Sequence, residues 1–307
     1  VPDADPGAAG RYLAAGPMTG IGPFAARLDD VPADPTGIAR LLHGLLIHEF
    51  LGPLYDVELG EEQRGAVHLH RADDVLALAT QALGDAPLGH PLDPADRVPS
   101  NCRQFSVVAT ALARAKGIPA RARCGFGAYF VPGRLEDHWV VEVWSETDQR
   151  WKRHDAQIDD LQRSTFGITD PVDDLPPDAF VVAGDAWLRH RAGDLDPDTC
   201  GLSVLDEAGD WWIAANLIRD VVSLLGVETR PWDVWGAMTE PGDPIPDQDR
   251  RLFDDLAVLT VGGTSGGQPT AADLDRLATL AGDPRVAVPA QVFNAGRHRL
   301  ETMPVRA

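Results

Sequence analysis

At Gly117 the sequence changes its period, and that change limits the folds open to the chain more than any other feature. Residues 104 to 116, within SNCRQFSVVATALARAKGIPARARCGF, place apolar positions at helical spacing, and Gly117 followed by Pro119 supplies a C-terminal stop. Three runs rich in β-branched and aromatic residues follow: ARARCGFGAYFV, HWVVEVWS and RWKRHDAQI. Their connections, PGRLED and ETDQ, are short enough for antiparallel hairpins. One helix followed by a meander predicts an α+β fold.

The flanks read as follows. Gly16, Pro17, Gly20, Gly22 and Pro23 predict turns and extended chain at the start. From Thr36, Ile38, Leu41, Leu42, Leu45 and Leu46 predict a helix that ends at Gly52-Pro53. A second helix is predicted over EEQRGAVHLHRADDVLALATQALG, closed by Gly84, and the proline-rich APLGHPLDPADRVPS then leads as a loop to Cys102. Beyond Asp160, helices are predicted over AFVVAGDAWLRHRAG, GDWWIAANLIRDVVSLLG, after Asp247, and over TAADLDRLATLAG.

Composition removes several classes of function. The 307 residues carry a formal charge of −20, so the surface repels phosphate backbones and anionic lipid, and neither nucleic acid nor membrane is expected as a partner. Only Lys116 and Lys152 are lysines, an arginine bias that fits a GC-rich bacterial genome. VPDADPGAAGRY has no basic start and no apolar stretch of a secretory leader, and no run approaches the ~18 apolar residues of a membrane span. The three cysteines, Cys102, Cys124 and Cys200, form no even framework and no CxxC pair, which points to a reducing cytoplasm.

Cys102 stands at the head of the helical pattern, where unpaired N–H groups and the helix dipole favour a thiolate. Such a nucleophile needs a base, and the base needs an acceptor that fixes its tautomer. His138 and Asp155 lie on consecutive strand runs, where cross-strand or diagonal pairing brings them within reach if the register agrees. Alternation puts His138, Val140, Glu142 and Trp144 on one face, and Trp151, Arg153, Asp155 and Gln157 on one face of the next strand. Trp139, Val141 and Val143 make the opposite, apolar face.

Asn101-Cys102 before an apolar helix ending in KGIPARARCGF, then EDHWVVEVW and RWKRHDAQID, resembles the transglutaminase-like family within the papain-like cysteine enzymes. The likeness spans about residues 95 to 160. It implies a papain-like core with additional N- and C-terminal helices. It also implies Cys102 as nucleophile, His138 as base and Asp155 as orienting acid. The expected organisation is a catalytic core with N-terminal helices over 1–165 and a mainly helical extension over 166–307, packed on the core or part of the same domain. No cofactor or metal is implied. The substrates implied are glutamine side chains, peptide bonds or acyl thioesters, with water or an amine as acceptor; a biosynthetic amide synthase or cyclase and a non-catalytic binder are the rival readings. Where the family more often follows the aspartate with proline or another turn residue, this chain continues Asp155-Ala156-Gln157. The backbone N–H of Cys102 is one oxyanion donor candidate, and the second is sought between Leu88 and Asn101.

The same residues carry plainer readings. Cys102 as a buried structural thiol is the alternative to the nucleophile, and Cys124, in a strand, is expected to be packing. A zinc site from Cys102, Cys124 and His138 lacks the close ligand pairs of structural zinc. His68 and His70 are expected on an ordinary solvated helix, His154 on the face opposite Asp155, and Asp137 in a loop. VGGTSGGQP lacks the ending of a phosphate-binding loop and reads as a flexible connection. Trp211 and Trp212 read as core or pocket wall. Arg121 and Arg123 share a strand face, either as ion-paired structure or as a patch that receives an acidic carrier protein.

Overall fold

The structure, a computed structural model, describes residues 9–262 and 268–305. The first residues of VPDADPGAAGRY and the centre of the VGGTSGGQP connection lie outside the described residues. The chain folds as two compact units, each assembled from separated stretches. One takes Ala9–Ala122 and Val140–Leu175; the other takes Arg123–Trp139 and the chain from Pro176 onward.

In the first of these units, a 3₁₀ helix over Gly22–Asp30 replaces the turns and extended chain expected there. Helix α1 (Pro35–Leu45) starts on an Asp34 cap that accepts from the Gly37 N–H, with proline at the first helical position. It ends at Leu45 rather than at Gly52, because Leu46–His48 is strand β1, paired in parallel with β2 (Val98–Ser100). A short apolar run such as Leu45-Leu46-Ile47 suits helix or strand equally, and a partner strand distant in sequence decides it. Ile47 buries against Val57, Leu59 and Tyr55.

The second expected helix is broken. It resolves into one turn at Glu61–Arg64, a 3₁₀ turn at Gly65–His68, and α2 (Ala72–Leu83), closed by Gly84 at φ +58°. His68 therefore ends a 3₁₀ turn and His70 lies in the link to α2, instead of both lying on one helix. The cause is visible in the carbonyls of the break: those of Ala66, Val67 and Leu69 accept hydrogen bonds from side chains of residues 101 to 104. Those residues open α3 (Cys102–Ala115), which runs into Gly117 at φ +78°.

Strands β3 (Ala120–Gly127) and β4 (Leu135–Ser145) each have residues in both units. β5 (Arg150–His154) pairs antiparallel with β4, setting Glu142 opposite Arg153 and Trp144 opposite Trp151. The Trp144 and Trp151 rings meet edge to face at 5.7 Å, so the face assigned by alternation is observed for Glu142, Trp144, Trp151 and Arg153, whereas Asp155 and Gln157, expected on the same strand, lie beyond its end at His154. On that face Glu142 accepts from Arg121 at 2.7 Å and from Arg153 at 3.3 Å, and the Arg121 guanidinium lies 4.2 Å from the centre of the Trp151 ring. A short helix, α4 (Asp160–Phe166), follows.

The other unit holds the strand order β6-β3-β4-β7-β8, with β6 at Phe180–Val182, β7 at Cys200–Leu202 and β8 at Glu207–Ala208. Its helices are α5 (Ala183–Ala192), α6 (Asp210–Leu224), α7 (Asp247–Thr260) and α8 (Ala271–Leu280). A separate sheet, β9 (Asp233–Val234), β10 (Gln291–Asn294) and β11 (Arg299–Thr302), has no counterpart in the sequence reading, since strands of two to four residues carry too little period. Arg123 is buried here and donates to both carboxylate oxygens of Asp220 on α6, while the Cys124 N–H donates to the same carboxylate. With Arg121 and Arg123 both fully buried in ion pairs, the receiving-patch reading is overturned. The α+β class stands as expected, and among the described residues no helix is long and apolar enough to cross a membrane.

Candidate active-site residues

Cys102 is the first residue of α3 and is 6% exposed. What holds it there is a reciprocal cap: the Asn101 side chain accepts from the Gln104 N–H at 3.0 Å, and the Gln104 side chain accepts from the Asn101 N–H at 3.1 Å. Two of the otherwise orphaned polar groups at the helix start are thus satisfied by each other's residues. The same two side chains face outward as donors, Asn101 to the Val67 carbonyl and Gln104 to the Ala66 carbonyl. The helix start is bolted to the 3₁₀ turn from two directions, so the residue between the bolts has a fixed backbone.

The segment delivering the chain to Cys102 is more ordered than a loop: a 3₁₀ turn at Pro94–Asp96 precedes β2. The Ser100 carbonyl accepts from the Glu49 N–H at 2.8 Å. Burial pushes the Glu49 carboxyl up to about 7, against the pull of Arg64. Glu49 has no periodic or motif signal in the sequence and was not singled out there.

Asp155 follows β5 directly and is 1% exposed. Its N–H donates to the Val172 carbonyl at 2.7 Å, and its carboxylate accepts from the Gln157 N–H at 2.9 Å. His43 of α1 donates from Nε2 to the Ala156 carbonyl at 3.1 Å. Burial holds the His43 and His154 imidazoles below the ordinary range, against the pull of nearby carboxylates that include Asp155. Both are therefore neutral near pH 7. His154 lies opposite Val141 of β4 and is buried.

His138 belongs to the other unit, on β4, and is 2% exposed. Its ring is met by Phe130 at 4.8 Å, Tyr129 at 6.0 Å and Phe180 at 6.4 Å, all edge-on. Tyr129 and Phe130 come from the turn between β3 and β4 and are half-buried. Asp137, expected in a loop, is a strand residue instead, and its carboxylate accepts from the Asn216 amide at 2.7 Å. Burial raises its pKa above the usual carboxylate range. Cys124 and Cys200 are fully buried, and the Cys200 thiol is pushed up to about 11 by desolvation. Trp211 and Trp212 open α6 with their rings 5.0 Å apart. Among the described residues no group of three His, Cys, Asp or Glu side chains is placed to hold a metal ion.

Residues 84–156 match the family profile described as the transglutaminase-like superfamily. No curated protein matches the chain. Among crystal structures it is similar to a Cytophaga hutchinsonii protein put forward as a cysteine protease, at 15% identity and a TM-score of 0.35, covering 61% of this chain and 52% of that one. It is also similar to red sea bream transglutaminase, at 18% identity and a TM-score of 0.29, covering 45% of this chain and 26% of that one. The chain thus spans about half the length of the first and about a quarter of the second.

Proposed function

We propose, from the match of residues 84–156 to the transglutaminase-like superfamily, whose chemistry is cysteine-based acyl transfer or hydrolysis, that this chain transfers acyl groups through a Cys102 acyl-enzyme. His138 serves as the base and Asp155 as the acid that orients it. The observation that carries the reading is the placement of Cys102: the first residue of a helix, braced by a reciprocal cap, inside the matched segment. A thiol at that position gains from the helix N-terminus, which favours the thiolate.

In the reaction, the Cys102 thiolate attacks the carbonyl carbon of an amide or thioester. The carbonyl π pair moves to oxygen, and backbone N–H groups stabilise the oxyanion. Collapse breaks the bond to the leaving nitrogen or sulfur, which takes its proton from the His138 imidazolium. An acyl thioester on Cys102 remains. Water or an amine, deprotonated by His138, then attacks it and restores the thiolate. The acid at 155 acts only through the imidazole, holding its tautomer and stabilising its cationic form.

The test is the pH dependence of iodoacetamide labelling at each cysteine, read by mass spectrometry. Cys102 is expected to label fastest and well below the ~8.5 of a free thiol, and to lose that advantage in His138→Ala. Cys200, with its raised pKa and full burial, is an internal reference in the same sample. Equal labelling of Cys102 and the other two thiols, after denaturation controls for burial, would remove the nucleophile assignment. With a turnover assay in hand, His138→Ala should cost about 10² to 10⁴ in rate, the usual worth of a positioned base.

A further inference from the structure

The residues after Asp155 form a hydrogen-bonded chain with one direction. Asp159 Oδ2 accepts from the Tyr55 hydroxyl at 2.6 Å. Gln162 Nε2 donates to the Tyr55 oxygen at 2.8 Å and to the Gln157 carbonyl at 3.3 Å. Gln162 Oε1 accepts from Gln157 Nε2 at 3.2 Å, and the Gln157 N–H donates to Asp155 Oδ1 at 2.9 Å. Gln157 and Gln162 are 3% and 2% exposed, so this is interior chemistry.

The direction is imposed from one end. An ionised carboxylate only accepts, so Tyr55 spends its single proton on Asp159. Its oxygen must then accept from Gln162, which fixes the nitrogen of that amide toward Tyr55 and its oxygen toward Gln157. Gln157 in turn must present nitrogen. Reversing the Gln162 amide would set its oxygen against the Gln157 carbonyl, acceptor against acceptor, at the residue whose N–H holds Asp155. Tyr55 is kept as a phenol by burial and by Asp159, so the chain keeps its donor over the working pH range.

We infer that Tyr55, Gln162 and Gln157 are positioning residues for Asp155, polarised by Asp159; the inference rests on the triad reading above.

Asp159→Asn separates positioning from support. Asp159 also caps α4 through Oδ1, which accepts from the Gln162 N–H at 2.8 Å, and asparagine caps a helix as well as aspartate does. The substitution therefore keeps the cap while placing an amide donor against Tyr55. The titratable and charged groups around this segment include His43, His154, Asp160, Asp173, Asp34 and Arg97, the last 5.6 Å over the Tyr55 ring. Asp159 raises the His43 pKa, so its neutralisation lowers His43 further, in the direction that burial already takes it.

Iodoacetamide labelling of Cys102 at about pH 6 should fall about five-fold in Asp159→Asn, the worth of one neutral hydrogen bond, with the melting temperature held and labelling at about pH 9.5 unchanged. Tyr55→Phe, which leaves the α4 cap intact, should do the same and carries the test if Asp159→Asn is unstable. If neither changes the profile while His138→Ala and Asp155→Ala still do, the chain is scaffold only and the inference is wrong. If His138→Ala and Asp155→Ala also leave it unchanged, the triad reading fails, and this inference with it.

Discussion

Glu142 sits between two guanidiniums with no exposure, and its surroundings show how a fully buried charge is tolerated on this sheet. Arg121 is opposed by the carboxylate and faced by the rings of Tyr12 and Trp151, 5.1 and 4.2 Å from their centres. Arg153 adds a second guanidinium at 3.3 Å from the neighbouring strand. Removing one member leaves the others desolvated and uncompensated, so Glu142→Gln is expected to destabilise the fold by about 3–5 kcal/mol in urea unfolding. A surface ion pair such as Arg191 with Asp254 should be worth at most about 1 kcal/mol by the same assay. Alternation was enough to place Arg121 and Arg123 on one strand face. It was not enough to say what they meet, because Glu142 lies 21 residues from Arg121 and Asp220 lies 97 residues from Arg123. Tyr55 was invisible for the same reason, being 104 residues from Asp159. Gln157 could be noticed, as the departure after Asp155, but not interpreted.

At the level of elements, the start of α3 carries the clearest prediction. Asn101→Ala removes both the cap and the donor to the Val67 carbonyl, and should cost about 1–2 kcal/mol in thermal or urea unfolding; Asn101→Asp keeps the cap acceptor but sets an oxygen against the Val67 carbonyl, and should recover only part of it. Helix α3, the following strands and the face assignment of β4 against β5 were legible because each has a long run with an unbroken period. Elements were misread where the period is short or a distant partner decides. Leu46–His48 left its helix to pair with β2, and Phe180–Val182 left the start of another to pair with β3. The break in the predicted helix at 61–84 was set by side chains from the start of α3, which local periodicity cannot register.

For the whole molecule, the two units mean that no simple cut separates them. A chain stopped after Leu175 contains every stretch of the first unit but leaves Arg123 and the Cys124 N–H without Asp220, and β3 without β6. Such a fragment is expected to lack a cooperative urea transition and to bind hydrophobic dyes, whereas the full chain is expected to show a sharp transition. The Arg123 pair also sets a timetable for synthesis. Its carboxylate partner is translated 97 residues later. At ~5–20 residues per second the nascent strand waits on the ribosome for about 5–20 s before its counter-charge exists, long enough for a chaperone that screens exposed β-edges to act. Translation speed across residues 123 to 220 is therefore a determinant of yield, and slow codons there should lower the soluble fraction without changing any residue.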